Sequence, residues 1–303
     1  MAPIIPIIDT HQHVWDLDRF RLPWLKACEP LNRSFLPADY LEATRGLKIA
    51  KTVYMEADVE PSQNEAEAEF AIELCCNPDT PIAASVIGGR LAEPGFASYV
   101  RRFAPSPHVQ GVRQVLQVPE AERGMCLRTE FVDAVRLLGE LGLSFDLSLR
   151  PNELRDGATL ATLCPDTRIV LDHCGFADPK AFLSSDRREE LGDKATPTHD
   201  ADEWRRGIAA VATRDNVVCK ISGIVTGAPE GWMPADLAPI VDHCLESFGP
   251  DRVMFGGDWP VCTLGAACRE WVEALREILS GRPEETRRKL FYENAARFFG
   301  LDN

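Results

Sequence analysis

Little in this sequence points toward nucleic acid, membrane or the extracellular space. Its 33 Lys and Arg stand against 47 Asp and Glu, a net charge of -14. A phosphate backbone or an anionic bilayer would therefore meet no positive field. No apolar run approaches the roughly 20 residues that span a hydrocarbon core. The ten cysteines (Cys28, Cys75, Cys76, Cys126, Cys164, Cys174, Cys219, Cys244, Cys262 and Cys268) contain no C-x-x-C pair and no regular framework. In a chain of this length they read as reduced, mostly buried small hydrophobes of a cytoplasmic protein. The opening Met-Ala-Pro-Ile-Ile-Pro has no basic flank, so a signal peptide is not expected. Linkers and composition shifts are missing as well, and residues 1–303 read as one domain with a core of its own.

What is present is an alternation. Strand-like apolar runs fall at Ile4–His13, Ala50–Asp58, Ile82–Gly89, Val109–Leu116, Leu143–Arg150, Arg168–Gly175, Asn216–Ile224 and Arg252–Trp259. Amphipathic stretches lie between them: Ser62–Cys76, Glu130–Leu141, Asp202–Thr213, Leu237–Phe248 and Ala267–Leu279. In the first, Glu65, Glu67, Glu69 and Glu73 are expected outward and Ala66, Phe70 and Leu74 inward. Eight β-α units predict a closed (β/α)8 TIM barrel in a single domain. An open doubly wound sheet is the alternative, but it wants a Gly-rich phosphate turn after its first strand, where Gln12 and His13 stand instead. Residues 283–300 start with Pro and acids and end in Gly, the signals of a closing helix. Three connections are long, Val14–Asp39, Phe176–Glu203 and Val225–Asp236, and in a barrel they belong to the face that selects substrate. The charged middle of Phe176–Glu203 fits a solvated insertion and a partial lid equally well.

The polar residues that interrupt the strands carry the chemistry. His11 and His13 alternate on one strand, so they share a side about 7 Å apart along the backbone. Asp258 follows another apolar run and precedes Trp259-Pro260. A barrel brings such strand ends to one mouth. Every strand but the third supplies at least one polar group there: Glu56, Arg113, Gln114, Asp146, Arg150, His173 and Lys220 join His11, His13 and Asp258. An unpaired polar group in an apolar strand costs several kcal/mol, so each must be paired or face solvent at the mouth. Blander readings exist for most of them. His173 could be a satisfied core histidine, and Glu56 could serve a neighbouring base rather than a metal. Arg113 could bridge barrel layers, and Asp146 and Lys220 could pair as a structural layer. Trp259 and Trp232 could simply pack, while His108, His199 and His243 read as surface residues.

Taken in order, Asp9-Thr10-His11-Gln12-His13, Gly111-Val112-Arg113-Gln114, Leu171-Asp172-His173-Cys174-Gly175, Lys220-Ile221-Ser222-Gly223, Gly256-Gly257-Asp258-Trp259-Pro260 and Glu293-Asn294-Ala295-Ala296-Arg297-Phe298 resemble the amidohydrolase superfamily. More narrowly they resemble its lactonase branch, which includes L-fuconolactonase, L-rhamnono-lactonase and 2-pyrone-4,6-dicarboxylate lactonase. The resemblance covers nearly the whole chain. It implies a hydrolase that opens a sugar-acid lactone, with Asp258 as general base and His173 beside it. Arg113, Gln114, Asp146, Arg150, Lys220 and Trp259 would bind substrate. His11, His13, Asp258 and Glu56 would hold at most one divalent ion, zinc or manganese. The bridging lysine and the fifth-strand histidine of two-metal members are missing from Val109–Leu116 and Leu143–Arg150, and some members of the branch use no metal. A decarboxylase or hydratase of the same superfamily is the competing reading, an amidase or phosphoester hydrolase a weaker one, and a non-catalytic barrel the weakest. Among lactones, Arg113, Arg150 and Lys220 at the mouth are balanced by Glu56, Asp146 and Asp258. Hydroxyl partners Glu56, Asp146, Gln114 and Ser148 then favour an aldonolactone over a pyrone dicarboxylate. The expected partner is thus a small lactone, with homo-oligomers left open.

Overall fold

The computed structural model describes residues 5–301. Its strands are β1 (Ile7–Gln12), β2 (Ile49–Met55), β3 (Ile82–Gly88), β4 (Val109–Val115), β5 (Ser144–Ser148), β6 (Ile169–Leu171), β7 (Val217–Ile221) and β8 (Val253–Phe255). They form one sheet in sequence order, each strand parallel to the next. The sheet returns on itself just past β8, where Gln12 bridges Trp259. There the Asp258 N–H donates to the His11 carbonyl at 2.7 Å and the His13 N–H to the Trp259 carbonyl at 2.8 Å. Helices fill the crossovers, and the molecule is a nearly closed, single-domain (β/α)8 barrel.

All eight expected strands exist, and most are shorter than the apolar runs predict. The difference is largest at β6 and β8. His173, Cys174, Phe176 and Asp258 take φ of 52°, 52°, 55° and 55°, which no extended strand allows. Ile4, the expected start of β1, lies outside the described residues. The five expected helices appear as Asn64–Cys76, Thr129–Glu140, Ala201–Ala212, Pro234–Phe248 and Cys268–Ile278. Pro37–Ala43, Phe96–Phe103 and Leu154–Leu163 are additional. The first two are short, and Gly157 and Thr159 dilute the helical signal of the third. One facing is corrected: in Asn64–Cys76 the buried side carries Glu67, Ala68, Phe70, Ala71 and Leu74, with Ala66 exposed.

The core has two layers. Ile8, Val53, Met55, Ala84, Val86, Val170 and Met254 fill the barrel interior, and Ala295, Ala296 and Phe299 of the closing helix pack beneath them. Asn294 fastens that helix by donating to the carbonyls of Pro250 and Val253, both at 2.8 Å. A larger layer packs the outer faces of the strands against the helices. Each fully buried Val, Leu, Ile or Phe contributes about 1.5–3 kcal/mol. Cysteines behave as expected: all ten are free and seven are buried. No helix among the described residues is long and apolar enough to cross a membrane.

Candidate active site

Toward the ends of the strands the interior turns from apolar to charged. Arg113 on β4 is paired in register with Asp146 on β5, Asp172 directly follows β6, and Lys220 lies on β7. These four side chains are buried, Lys220 completely. Lys220 Nζ lies 2.5 Å from Asp146 Oδ2, 3.3 Å from Asp172 Oδ1 and 3.5 Å from His11 Nδ1. Burial pushes Asp146 up to about 6 against the pull of Lys220. For Asp172 burial acts the same way, but Lys220 and His11 outweigh it and hold the carboxyl well below the usual range. Arg113 donates through Nε to Glu56 Oε1 at 2.6 Å and through Nη2 to the Glu56 carbonyl at 2.9 Å. Its Nη1 lies 3.2 Å from His11 Nε2. A guanidinium has only donors, so His11 accepts there and carries its hydrogen on Nδ1, 3.5 Å from Asp172 Oδ1. Burial, with His173 and Lys220 nearby, keeps the His11 ring neutral, its pKa well below the ordinary value.

Above this charged floor stands Asp258. Its Oδ1 is 3.5 Å from His13 Nε2, 3.7 Å from His11 Nε2 and 3.9 Å from His173 Nε2. His13 Nδ1 lies 3.1 Å and 2.9 Å from the Met55 and Glu56 carbonyl oxygens. Carbonyls only accept, so Nδ1 bears the hydrogen and Nε2 turns a lone pair toward Asp258. His13 Nε2, His11 Nε2 (which Arg113 also approaches) and an Asp258 oxygen, all within 4.8 Å of one another, form a donor set that could hold one divalent ion. A second group, His11, Asp172 and His173, is equally compact. Its carboxylate is already met by Lys220, and by Arg113 at 3.7 Å, which leaves little negative charge for a second ion.

His173 points its Nδ1 at Ser222 Oγ, 2.9 Å away. A hydroxyl proton donated there leaves Nε2–H free to donate into the cavity. Burial is the main reason its pKa is lowered, so the ring is neutral near pH 7. Gly223 makes this placement feasible. Its φ is +69°, and a Cβ there would meet His173 Nδ1 at 2.4 Å, a contact no side chain tolerates.

The cavity over these groups measures about 400 Å³. Of the residues singled out in the sequence, His13, Arg113, His173 and Asp258 open into it. His11 lies beneath them with no exposed surface. Other predicted residues are engaged elsewhere. Glu56 stands outside the His11–His13–Asp258 group and accepts from Arg113 and, at 2.7 Å, from the Asp58 N–H. Asp146 and Lys220 form the buried layer described above, short of the cavity. Arg150 pairs with Glu153 and donates to the Val118 and Ala121 carbonyls, tying down the loop after β4. Gln114 accepts from the Leu91 N–H at 2.7 Å, and Trp259 packs between Phe35 and Tyr40. His108, His199 and His243 are half-buried rather than fully exposed, and His199 accepts from the Asp178 N–H of the cavity wall. Sequence reasoning missed Asp172 and Ser222, although both sit beside quoted polar residues at strand ends. It also missed Trp24, Asp58, Asp178 and Lys180, loop residues of the wall whose positions no strand pattern marks. The Phe176–Glu203 connection does lie over the site: Phe176, Asp178, Lys180 and Thr198 line the cavity.

A nearly closed barrel with a histidine pair at the end of β1 and an aspartate after β8 points to one family. A family model described as Amidohydrolase matches residues 8–301, and the chain belongs to that family. It is similar to the L-fucono-1,5-lactonase of Burkholderia multivorans, 30% identical over 301 residues that cover 97% of this chain and 96% of the relative. The L-rhamnono-gamma-lactonase of Scheffersomyces stipitis is 22% identical, covering 97% of this chain and 98% of its own. An amidohydrolase from Burkholderia multivorans, solved with bound zinc, superposes with a TM-score of 0.82 at 28% identity, covering 97% of this chain and 99% of the other.

Proposed function

We propose that this chain is a lactonase that opens an uncharged cyclic ester, such as a sugar-acid lactone, by attack of water on the ring carbonyl. The observation that carries the reading is Asp258, whose Oδ1 lies within 4 Å of three imidazole nitrogens at the base of the cavity. In this mechanism Asp258 takes a proton as the water oxygen bonds to the carbonyl carbon. The oxyanion receives a hydrogen bond from His173 Nε2–H, in the tautomer whose Nδ1 accepts from the Ser222 hydroxyl, and lies near the Arg113 guanidinium. When the tetrahedral adduct collapses, the ring C–O bond breaks and Asp258 returns its proton to the departing alkoxide, leaving a hydroxy acid. His11, His13 and Asp258 would hold a single divalent ion, which when bound polarises the carbonyl and acidifies water. The L-fucono- and L-rhamnono-lactonases named among the relatives support ring-opening chemistry. Of the two cations among the described lining residues, Arg113 is paired with Glu56 and Lys180 lies 4.0 Å from Asp178, which supports an uncharged ring. A lactone panel read with a pH indicator tests this: one proton should be released per ring opened. Release of carbon dioxide from a carboxylated substrate, with no acid from any lactone, would refute it.

A further inference from the structure

The wall of the cavity does not match a heavily hydroxylated ring. Above the charged floor stands a collar from the end of β4 (Val115) and from the loops after five strands: Trp24, Val118, Phe176, Ile224 and Val261. Trp24 shows the cavity only carbon, because its indole N–H donates to the Ala57 carbonyl at 2.9 Å. The polar side chains interleaved with the collar are largely committed to the protein. Asp178 accepts the N–H of Lys180 through Oδ1 and that of Thr198 through Oδ2. Thr226 donates to the Gly223 carbonyl, Gln117 Oε1 accepts from Ser148, and Asp58 accepts from Arg90. Uncommitted side-chain donors outside the catalytic group come down to the Gln117 amide, the Thr198 hydroxyl and Lys180, whose Nζ is 4.0 Å from Asp178. Glu56, Asp146, Gln114 and Ser148, the hydroxyl partners that would suit a sugar lactone, all lie outside the cavity lining.

Resting on the lactonase reading, we infer that the preferred substrate is a hydroxyl-poor lactone carrying an apolar substituent, with the ring on the floor and the substituent in the collar. A hydroxyl buried against apolar wall loses its water without a replacement bond, whereas each methylene placed there gains about fourfold in binding. Size agrees. A cavity of roughly 150 Å³ accommodates benzene, so about 400 Å³ holds a six-membered ring and a substituent of similar bulk.

The test compares kcat/KM for D-glucono-1,5-lactone with δ-valerolactones bearing a methyl, propyl or pentyl group on the carbon next to the ring oxygen. Activity should rise at least threefold per added pair of carbons, and the pentyl compound should exceed the gluconolactone at least tenfold. Val118→Asn should lower the ratio of kcat/KM for the pentyl lactone to that for gluconolactone about tenfold, and an unchanged or increased ratio would overturn the inference. Hydrolysis of gluconolactone in preference to all alkyl lactones would overturn this inference and leave the lactonase reading standing. Should no lactone be hydrolysed, that reading fails, and binding of the matching alkyl δ-lactam and gluconolactam by calorimetry decides the cavity's preference. Tighter binding of the gluconolactam would overturn the inference there too.

Discussion

Glu67 offers the sharpest test of how burial sets charge beneath this site. It lies on the helix Asn64–Cys76 and is 1% exposed. Its Oε1 accepts from the Ala57 N–H at 2.6 Å and from the Tyr54 hydroxyl at 3.1 Å, while Oε2 has no partner. Burial, with the Glu56 charge close by, pushes the carboxyl from 4.5 up to about 8. The two acids face a common notch, since a Cβ on Gly88 would sit 3.2 Å from Glu56 Oε2 and from Glu67 Oε2. The sign follows from proton counting. Between pH 4.5 and about 8 the folded chain keeps a proton that the unfolded chain has lost. Each unit of rising pH in that window therefore costs about 1.4 kcal/mol of stability, and above it the loss is constant. Glu67→Gln keeps the accepting oxygen, places an N–H where Oε2 stands, and has nothing to titrate. At pH 7, some 2.5 pH units above the ordinary value, the variant should be more stable than the parent by about 3 kcal/mol. At pH 5 the advantage should shrink below about 1 kcal/mol. Urea unfolding followed by circular dichroism at pH 5, 6, 7 and 8 measures both. A variant no more stable than the parent at pH 7, or a difference that does not change with pH, would refute the reasoning.

Asp258→Asn keeps the size and removes the proton acceptor, so kcat should fall at least about a hundredfold with the circular dichroism spectrum unchanged; near-normal turnover would remove Asp258 from the role of base. Elemental analysis of the purified protein should find no more than one zinc or manganese per chain, because Lys220 and Arg113 already neutralise Asp172; two stoichiometric ions that both support activity would contradict this. Lys220→Met strands Asp146 and Asp172 without their cation and should cost about 3–5 kcal/mol, with partial recovery in the double variant with Asp146→Leu; a melting point within a degree or two of the parent would show the layer to be dispensable. A pyrone dicarboxylate should have a kcat/KM at least about tenfold below that of neutral lactones, since an unmatched carboxylate stays desolvated. Arg150 and Lys220 are both spent on protein partners, so preference for the dianion would mean the cavity charge has been misjudged.

Barrel architecture was legible because it is written in a repeated contrast, apolar run against amphipathic run, that single residues cannot blur. Strand ends were less so. Asp172, His173 and Gly256 continue an apolar pattern through the point where the backbone already turns, and side-chain type says little about a positive φ. At the candidate site, pattern singled out His11 and Arg113 on strands and His13, His173 and Asp258 just past strand ends, because a polar residue in or next to an apolar run stands out. It could not tell the depth at which each would sit. Asp146 and Lys220 read in sequence as mouth residues or as a paired structural layer, and their ion pair across β6 places both, fully buried, beneath the cavity. Gln114 and Arg150 differ again: Gln114 follows the inward Arg113 and Arg150 lies just past β5, and both turn to a loop backbone. Glu67 was misread for the opposite reason. Helical periodicity puts a glutamate outside by default, and only the unpaired Ala57 N–H and Tyr54 hydroxyl explain why this one turns in.

Backbone strain offers an independent way to locate the site. Among the described residues, five that are not glycine take a positive φ: Asp58, His173, Cys174, Phe176 and Asp258. Each costs about 1–3 kcal/mol relative to an ordinary conformation, and a barrel with free choice of residue would place glycine there. Four of the five line the cavity. They sit just past β2, β6 and β8, where an extended chain would carry the side chain outward over the barrel rim. The left-handed turn redirects it inward instead, and local bonds hold the turn: the Asp258 N–H reaches His11, and the Asp258 carbonyl accepts from the Cys262 N–H at 2.7 Å. Glycine would relieve the strain but supply no carboxylate, imidazole or aromatic wall. Strain kept at these positions, where glycine would relieve it, points to a functional requirement for the side chains. It marks the same end of the barrel as the charges do, without reference to charge.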